Sequence, residues 1–237
     1  MKLDDWTQIH ARILALEQEG LVTRTFRRLD PERQEAVIVA ILDEAAEKGA
    51  AAFNVKDVAE RAGVSVGALY TYFPNREAML SFAVALSVHF VGDSFQAFRP
   101  YLLEMPLREA LVAYLMGGVE WSQVYVGLLR LFARAAYHGD PELAESLVRP
   151  VATVLREMVR DVLNAAAERG ELREGVDLEA MARVIHALTI AVGDSLLLPY
   201  LNTYFQVSGA DVSPERAMEA AVDLVLHGVG HEAGAGG

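Results

Sequence analysis

The stretch NVKDVAERAGVSVGALYTYF, residues 54–73, contains two short helical patterns separated by a glycine. Asn54 is a typical N-cap for the first helix, and Ser65 is a typical N-cap for the second. Gly63 stands between them, where a tight turn requires a positive φ. Apolar residues recur at helical spacing within both patterns and are expected to close a small core. A short glycine-containing turn between two helices is typical of the helix-turn-helix motif.

The second helix of this motif is predicted to expose small and hydroxyl-bearing side chains. Gly67 and Ala68 leave little bulk, so the start of the helix could approach base edges in the major groove of DNA. Tyrosine and threonine hydroxyls can donate to phosphates, and the methyl groups of Ala68 or Thr71 could touch a thymine methyl. Lys56 and Arg76 open the two flanking helices and are placed for phosphate contacts. The predicted DNA-binding residues are Asn54, Lys56, Ser65, Val66, Gly67, Ala68, Tyr70, Thr71, Tyr72 and Arg76. The alternative is that these are two ordinary short helices whose tyrosines only pack.

The run VAERAGVSVGALYTYFPNREAML, residues 58–80, resembles the signature of the tetracycline-repressor (TetR) family. The resemblance covers about residues 31–80, and beyond it only the helical layout is similar. It implies a homodimer that binds a palindromic operator, usually represses, and is released by an effector. It also implies a phosphate contact for Tyr72. The family commonly has lysine where this chain has Arg76, and usually threonine where it has Asn54.

Nearly every other segment also shows a helical pattern, so the predicted fold class is all-α. The predicted helices span about residues 4–19, 31–49, 55–62, 66–73, 75–98, 107–119, 121–138, 141–168, 177–198 and 214–228. Loops are expected between Pro100 and Pro106 and over residues 199–212, with a bend at Gly117-Gly118 and a kink at Pro150. The predicted domains are an N-terminal extension of a helix and a basic arm (1–30), a helix-turn-helix domain (31–80), a helical effector-binding and dimerisation domain (81–230), and a disordered tail (231–237).

Three interpretations of the N-terminal extension remain open on the sequence alone. The basic stretch Thr23–Arg28 could be an arm that reaches the DNA backbone or minor groove. Residues 4–19 could instead form a helix that packs on its own or the partner subunit. The third interpretation is a partly ordered tail, because basic runs are often only solvated.

The charge of the chain is distributed unevenly. The formal net charge is −12, and residues 1–30 are neutral, residues 31–80 carry −3 and residues 81–237 carry −9. DNA contact is therefore expected in the N-terminal third, with modest, salt-sensitive affinity. This acidic balance favours an alternative function, a helical dimer that binds a small molecule without reading DNA, whereas the intact motif favours a regulator.

The composition and the N-terminus bear on where the protein works. There is no cysteine, which excludes disulfides and thiolate metal sites, and the first residues are acidic where a signal peptide has bases. The most apolar stretch, Val184–Leu201, is interrupted by His186 and Asp194, so it is interpreted as a buried helix rather than a membrane span. A cytoplasmic location is expected.

Polar residues inside apolar helical runs suggest where an effector binds. Buried polar groups need partners, and ligand pockets are mostly apolar with a few fixed polar groups. The predicted ligand-binding residues are Tyr114, Trp121, Tyr125, His186 and Asp194. The competing interpretation places His186 and Asp194 at a dimer interface. The TetR resemblance implies that the last two long helices form the dimer interface, and residues 178–198 and 214–228 match them by order and amphipathicity. The close-packed faces would be Ala180, Val184, Ala187 and Ala191 on one helix and Ala217, Ala220, Ala221, Leu224 and Val225 on the other.

No catalytic constellation is visible in the sequence, and no enzyme activity, cofactor or metal is predicted. His227 and His231 are four residues apart, but they flank a glycine-rich tail that is not expected to hold a helical metal site. The sequence therefore predicts a ligand-responsive, DNA-binding transcriptional regulator, a repressor that binds a palindromic operator as a homodimer and is released by a small apolar or aromatic effector.

Overall fold

The computed structural model describes residues 6–124 and 126–229, and the side chains of residues 9–120 and 127–229. The helices in these ranges are α1 (Trp6–Gln18), α2 (Arg24–Arg27), α3 (Pro31–Ala52), α4 (Val55–Ala62), α5 (Val66–Tyr72), α6 (Arg76–Glu104), α7 (Leu107–Val124), α8 (Val126–His138), α9 (Pro141–Leu143), α10 (Arg149–Glu168), α11 (Leu178–Leu197), α12 (Pro199–Phe205) and α13 (Pro214–Val229). One π-helical turn, Ala144–Val148, lies between α9 and α10. The all-α prediction is confirmed.

The chain forms two compact units. Unit 1 comprises the chain up to Asp93 together with Val124–Val151, and unit 2 comprises Ser94–Gln123 together with the chain from Ala152 onward. Helix α8 therefore belongs to unit 1, where it packs along α3. The domain boundary expected near residue 80 stays a prediction, and the compact units differ from it by including residues 124–151 with the N-terminal part.

The N-terminal extension is an integral part of unit 1. Ile13 and Leu16 of α1 are buried, and Phe26 of α2 is fully buried. The buried side chain of Gln34 on α3 donates through Nε2 to the carbonyls of Phe26 and Arg27, at 3.0 and 3.1 Å. Of the three interpretations of the extension, packing on its own subunit is the one the described residues show.

Helix α3 is interrupted near its end, as the glycine there suggests. Gly49 has φ 77° and ψ 172°, a conformation that only glycine adopts without strain. The break frees the amide of Ala50, which donates to Asp140 Oδ2 at 3.1 Å. The other oxygen of Asp140 caps the start of α9. A β-carbon at Gly49 would lie 3.2 Å from Arg134 Nε of α8, so the helices approach closely at this point.

Unit 2 has a continuous apolar core. Its buried residues come from α6, α7, α10, α11 and α13, and include Leu111, Leu163, Ile185 and Val222. Arg99 at the end of α6 pairs with Asp161 of α10 at 2.8 Å. The core thus joins helices that are distant in the sequence.

Several predicted loops and breaks were wrong. Helix α6 continues through Pro100 to Glu104, and Leu102 beyond the proline is buried. Gly117 and Gly118 lie within α7, and the expected loop 199–212 begins with α12, whose Leu201 is buried. In α6 and α12, tertiary burial outweighs local propensity, which sequence patterns alone do not show. The kink expected at Pro150 takes the form of the π-helical turn that precedes it.

Two helices pass a length-and-composition test for membrane spans. They are α6 and α11. Buried helices of globular proteins pass the same test, and both helices contribute fully buried side chains, such as Phe82 and Ile185, to the two units.

Candidate nucleic-acid interface and effector site

The helix-turn-helix has the local geometry that its sequence predicts. Asn54 Oδ1 accepts from the amide of Lys56 at 3.0 Å, and Ser65 Oγ accepts from the amide of Ala68 at 3.0 Å. Gly63 ends α4 in the left-handed region, with φ 65°. Each helix therefore begins on a side-chain cap and the turn between them is tight.

A buried carboxylate holds α4 against α3. Glu44 is fully buried, accepts from the amide of Asn54 at 3.2 Å and pairs with Lys48 at 2.9 Å. Lys48 also pairs with Asp57 of α4, and this hydrogen bond holds the pKa of Asp57 below its ordinary value. Arg61 of α4 lies 3.5 Å from Glu44, so both ends of α4 are tied to one buried charge.

Helix α5 has a buried side and an exposed side. Leu69, and Phe73 at its C-terminal end, are fully buried, against a core that includes Ile41. On the exposed side, Gly67 is open, Tyr70 is 50% exposed and Thr71 is exposed. The exposed side therefore carries no bulky residue in its first turn and two hydroxyls in its second.

The remaining predicted DNA-binding side chains on α4 and α5 differ in accessibility. Lys56 is exposed at the start of α4. Val66 and Ala68 are half-buried, and Asn54 and Ser65 use their side-chain oxygens as caps. The side chains of Asn54 and Ser65 thus stabilise the starts of α4 and α5, because each side-chain oxygen already accepts a hydrogen bond from a backbone amide.

Tyr72 is positioned between the protein core and an open groove. Its ring meets Phe26 edge-on, with 5.9 Å between ring centres, and its carbonyl accepts from the amide of Thr23 at 2.9 Å. The groove that Tyr72 also lines is bordered by Arg33 and Ala68. Tyr72 is consequently half-buried rather than enclosed.

Arg76 caps α3 in this structure. Its guanidinium donates to the carbonyls of Ala50, Phe53 (3.1 Å) and Ala51 (3.4 Å), and it lies over the Phe53 ring at 5.6 Å. Helix C-termini leave carbonyls without intrahelical partners, and a cation satisfies them well. The phosphate contact expected of Arg76 stays a prediction, while its structural role is one that the sequence did not reveal.

Two of the predicted effector residues meet in unit 2. Tyr114 on α7 lies close to Thr189 on α11, and burial raises the pKa of Tyr114 well above its ordinary value. Thr189 Oγ1 in turn donates to the carbonyl of His186 at 3.0 Å. Nδ1 of His186 is buried without a hydrogen-bond partner among the described residues. Burial and the charge of Arg156 lower the pKa of His186, so the neutral ring is favoured.

The other predicted effector residues are not part of this group. Asp194 is buried further along α11. Tyr125 lies outside the described residues, and so does the side chain of Trp121. The structure therefore brings together Tyr114 and His186, and Thr189 is the residue between them that sequence reasoning missed. A threonine on an apolar helical face gives no signal of its own, because threonine is common in helices as a self-satisfied side chain.

Helices α11 and α13 pack on each other and leave an apolar strip exposed. Val184 is 60% exposed and Leu224 is 65% exposed. Ala180, Ala187 and Ala220 beside them are exposed as well, and Ala191 and Ala217 are half-buried. Two members of the predicted dimer face were assigned wrongly, because Ala221 and Val225 are buried in the core of unit 2.

Two family models match the chain. The model for bacterial regulatory proteins of the tetR family matches residues 37–81, and the model for the tetracyclin repressor-like C-terminal domain matches residues 106–191. Together they cover more than half of the chain. The chain belongs to the TetR family. It is accordingly a transcriptional regulator, and the second match contains the Tyr114–Thr189–His186 group of this TetR protein.

Individual TetR relatives agree with this assignment. The chain is 25% identical, over 59% of its length and 68% of the relative's, to the HTH-type transcriptional repressor KstR2 of Rhodococcus jostii (strain RHA1). A TetR family regulator from Chloroflexus aurantiacus has a similar structure, with a TM-score of 0.64 at 20% identity, over 90% of this chain and 100% of the other. SmeT, the repressor of the Stenotrophomonas maltophilia multidrug efflux pump SmeDEF, has a TM-score of 0.60 at 18% identity, over 84% and 91% of the two chains. The last two likenesses show a shared fold.

Proposed function

We propose that this TetR protein is a cytoplasmic, ligand-responsive repressor that binds a palindromic operator as a homodimer and leaves it when a small apolar effector binds. The observation that carries the proposal is the exposed side of α5. Gly67 leaves the first turn open, Tyr70 presents a hydroxyl that no core contact buries, and Thr71 is exposed with its hydroxyl donating to the carbonyl of Ala68 at 2.7 Å. A helix of this kind suits the major groove, where close approach and hydroxyl contacts are both needed.

The exposed strip on α11 and α13 supports the homodimer. Val184 and Leu224 are the most exposed aliphatic side chains of these helices, and small alanines flank them. A two-fold interface uses the same patch on both subunits, so a flat strip of small and aliphatic residues can pair with itself. We expect light scattering to give the mass of a dimer, and Val184→Glu combined with Leu224→Glu to give a monomer. The equally exposed Phe98→Glu on α6 is the matched control and should leave the mass unchanged.

The Tyr114–Thr189–His186 group supports an effector site in unit 2. An apolar molecule with one hydrogen-bond donor would suit Nδ1 of neutral His186, which is buried without a partner among the described residues. SmeT, which shares this fold, has been seen in a complex with triclosan, an observation about that protein. Tyr114, Trp121, Tyr125, His186 and Asp194 remain the proposed ligand-binding residues.

Selection of DNA by the purified protein tests the proposal directly. The wild-type protein is incubated with a pool of random duplexes, and bound DNA is amplified and sequenced over several rounds. We expect enrichment of an inverted repeat, and we expect Tyr70→Ala to weaken binding to it by about 10-fold or more, the size of one good groove contact. Tyr101→Ala, which removes a similarly exposed tyrosine from unit 2, should bind as the wild type does.

The acidic net charge of −12 favours one alternative, a dimer that binds a small molecule and does not read DNA. Enrichment of no sequence at low salt would favour that alternative and contradict the proposal. Equal affinity of Tyr70→Ala and wild type would contradict the assigned surface while leaving DNA binding itself intact.

A further inference from the structure

Helix α2 is fastened directly to the end of the proposed recognition helix. Thr23, which precedes α2, donates through Oγ1 to the carbonyl of Thr71 at 2.6 Å and through its amide to the carbonyl of Tyr72 at 2.9 Å. These two bonds join segments 48 residues apart in the sequence. The position of α2 beside the last turn of α5 is thereby set by one hydrogen bond from a side chain and one between backbone groups.

The side chains of α2 divide into an inward set and an outward set. Phe26 is buried between Phe73 and Phe82, with ring centres 5.3 and 5.2 Å away, and Arg27 pairs with Glu17 of α1. The outward set is Arg24 and Arg28, the residue that directly follows α2; the amide of Arg28 donates to the carbonyl of Arg24 at 3.2 Å, so the two side chains are one helical turn apart and share a side. Both are exposed, and neither forms an ion pair among the side chains that the structure describes, those of residues 9–120 and 127–229.

Two unpaired guanidinium groups on one side of a helix repel each other, and an anion between or beside them relieves that repulsion. Arginine is also the side chain best suited to bind phosphate oxygens in pairs. In an acidic protein, these two arginines add positive charge to the segment that Thr23 fastens to the last turn of α5. The charge complements a nucleic-acid backbone.

We propose that Arg24 and Arg28 bind backbone phosphates of the operator beside the recognition helix, so that the N-terminal extension enlarges the DNA interface. The inference rests on the proposed function, because it requires that α5 lies on DNA. Contacts of this type add affinity and position the protein without reading sequence. They also explain how a chain with a net charge of −3 over residues 31–80 gains attraction to DNA.

The test compares the salt dependence of binding among full-length variants. The probe is the duplex that the wild-type protein enriches from the random pool, and Kd is measured by fluorescence anisotropy at several salt concentrations. For Arg24→Gln combined with Arg28→Gln, we expect the slope of log K against log salt to fall by about 2, and Kd near 0.1 M salt to rise roughly 10- to 100-fold. The enriched sequence should stay the same.

Matched variants separate this effect from a general loss of charge or of folding. Arg149→Gln with Arg160→Gln removes an equal number of positive charges, from α10, and should keep the wild-type slope. Arg24→Lys with Arg28→Lys keeps the charge and should restore most of the slope. A wild-type slope in the Arg24/Arg28 glutamine variant, or an equal fall in the α10 variant, would overturn this inference alone. Enrichment of no duplex by the wild type would overturn it together with the proposed function.

Discussion

The side chains proposed to bind DNA in unit 1 and an effector in unit 2 of this TetR protein face opposite ways. In unit 1, Tyr70 and Thr71 stand on the exposed side of a helix whose other side is fully buried. In unit 2, the Tyr114 hydroxyl, one nitrogen of His186 and the Asp194 side chain are buried within helices. A surface that meets a large charged polymer can keep its groups solvated until contact, whereas a site for a small molecule has to enclose them.

This difference separates function from stability in unit 1 more cleanly than in unit 2. Substitutions on the exposed side of α5 should change DNA binding and leave the free energy of unfolding nearly unchanged. Substitutions of the buried residues behind α5 should lower the free energy of unfolding without removing a DNA-contacting side chain. In unit 2 the same buried groups serve packing and the proposed effector site, so changes there should affect both properties.

The largest effect is expected behind the DNA-reading surface, at Phe26. Its side chain is fully buried among Tyr72, Phe73 and Phe82. Phe26→Ala should lower the free energy of unfolding by about 3–5 kcal/mol, the usual cost of removing a buried ring. Urea denaturation measures this, with Leu14→Ala, an exposed apolar residue of the same extension, as the control at about 0.5 kcal/mol or less. Similar values for the two variants would show that the extension is not part of the core of unit 1.

A somewhat smaller effect is expected at the break in α3. Gly49→Ala places a β-carbon 3.2 Å from Arg134 Nε and forces alanine into a φ of 77°. The expected loss of unfolding free energy is about 2–3 kcal/mol. Gly92→Ala, in α6 where a β-carbon meets nothing within 4 Å, should be neutral or slightly stabilising. A neutral Gly49→Ala would mean that stability does not require the break in α3 or the contact of Ala50 with Asp140.

Arg76 tests whether a predicted DNA contact is really a structural one. Arg76→Ala leaves the last carbonyls of α3 without their charged donor, and should lower the free energy of unfolding by about 2 kcal/mol. Its exposed neighbour supplies the control, since Glu77→Ala should cost roughly 0.5 kcal/mol or less. If Arg76→Ala were as stable as the wild type but bound DNA weakly, the result would favour the phosphate contact that the sequence predicts for Arg76.

Local rules explain why the helix-turn-helix could be predicted so closely. The bounds of α4 were predicted without error, and those of α5 to within one residue, because caps at Asn54 and Ser65 and a left-handed Gly63 lie within the motif itself. The same rules failed at Pro100, where burial of Leu102 keeps the helix intact past a residue that usually ends one. They also failed for α12, which is held by the burial of Leu201.

The candidate site shows the same division between local and tertiary causes. The exposure of Tyr70 and Thr71 follows from helical spacing alone, so the sequence was sufficient. The hydrogen bonds of Arg76 depend on the end of α3, more than twenty residues away in the sequence. The attachment of α2 depends on the hydrogen bond between Thr23 and Thr71, which are 48 residues apart. A single sequence contains no measure of such distances, and this is why the role of the extension stayed open among three interpretations.

The smallest effect is expected at His186, which tests the inward-facing half of the comparison. Burial and Arg156 hold its pKa below the ordinary 6.5, so the unfolded chain binds a proton at this residue more readily than the folded chain does. The free energy of unfolding should therefore fall as the pH drops below about 6.5, and keep falling until the folded-state pKa is passed. His186→Gln removes the titrating ring, so its stability should depend less on pH over that range.

The difference between the two proteins isolates His186, because every other titrating group is shared and cancels when one pH profile is subtracted from the other. Thermal midpoints between pH 7.5 and 5.5 are sufficient to measure it. A parallel pair of profiles would mean that the His186 ring takes up a proton as easily in the folded protein as in the unfolded chain. The ring would then be solvated like Tyr70 and Thr71, and the contrast between an outward-facing unit 1 and an enclosed polar group in unit 2 would not hold. A flatter variant profile, by contrast, would support a neutral imidazole available to a hydrogen-bond donor of the effector.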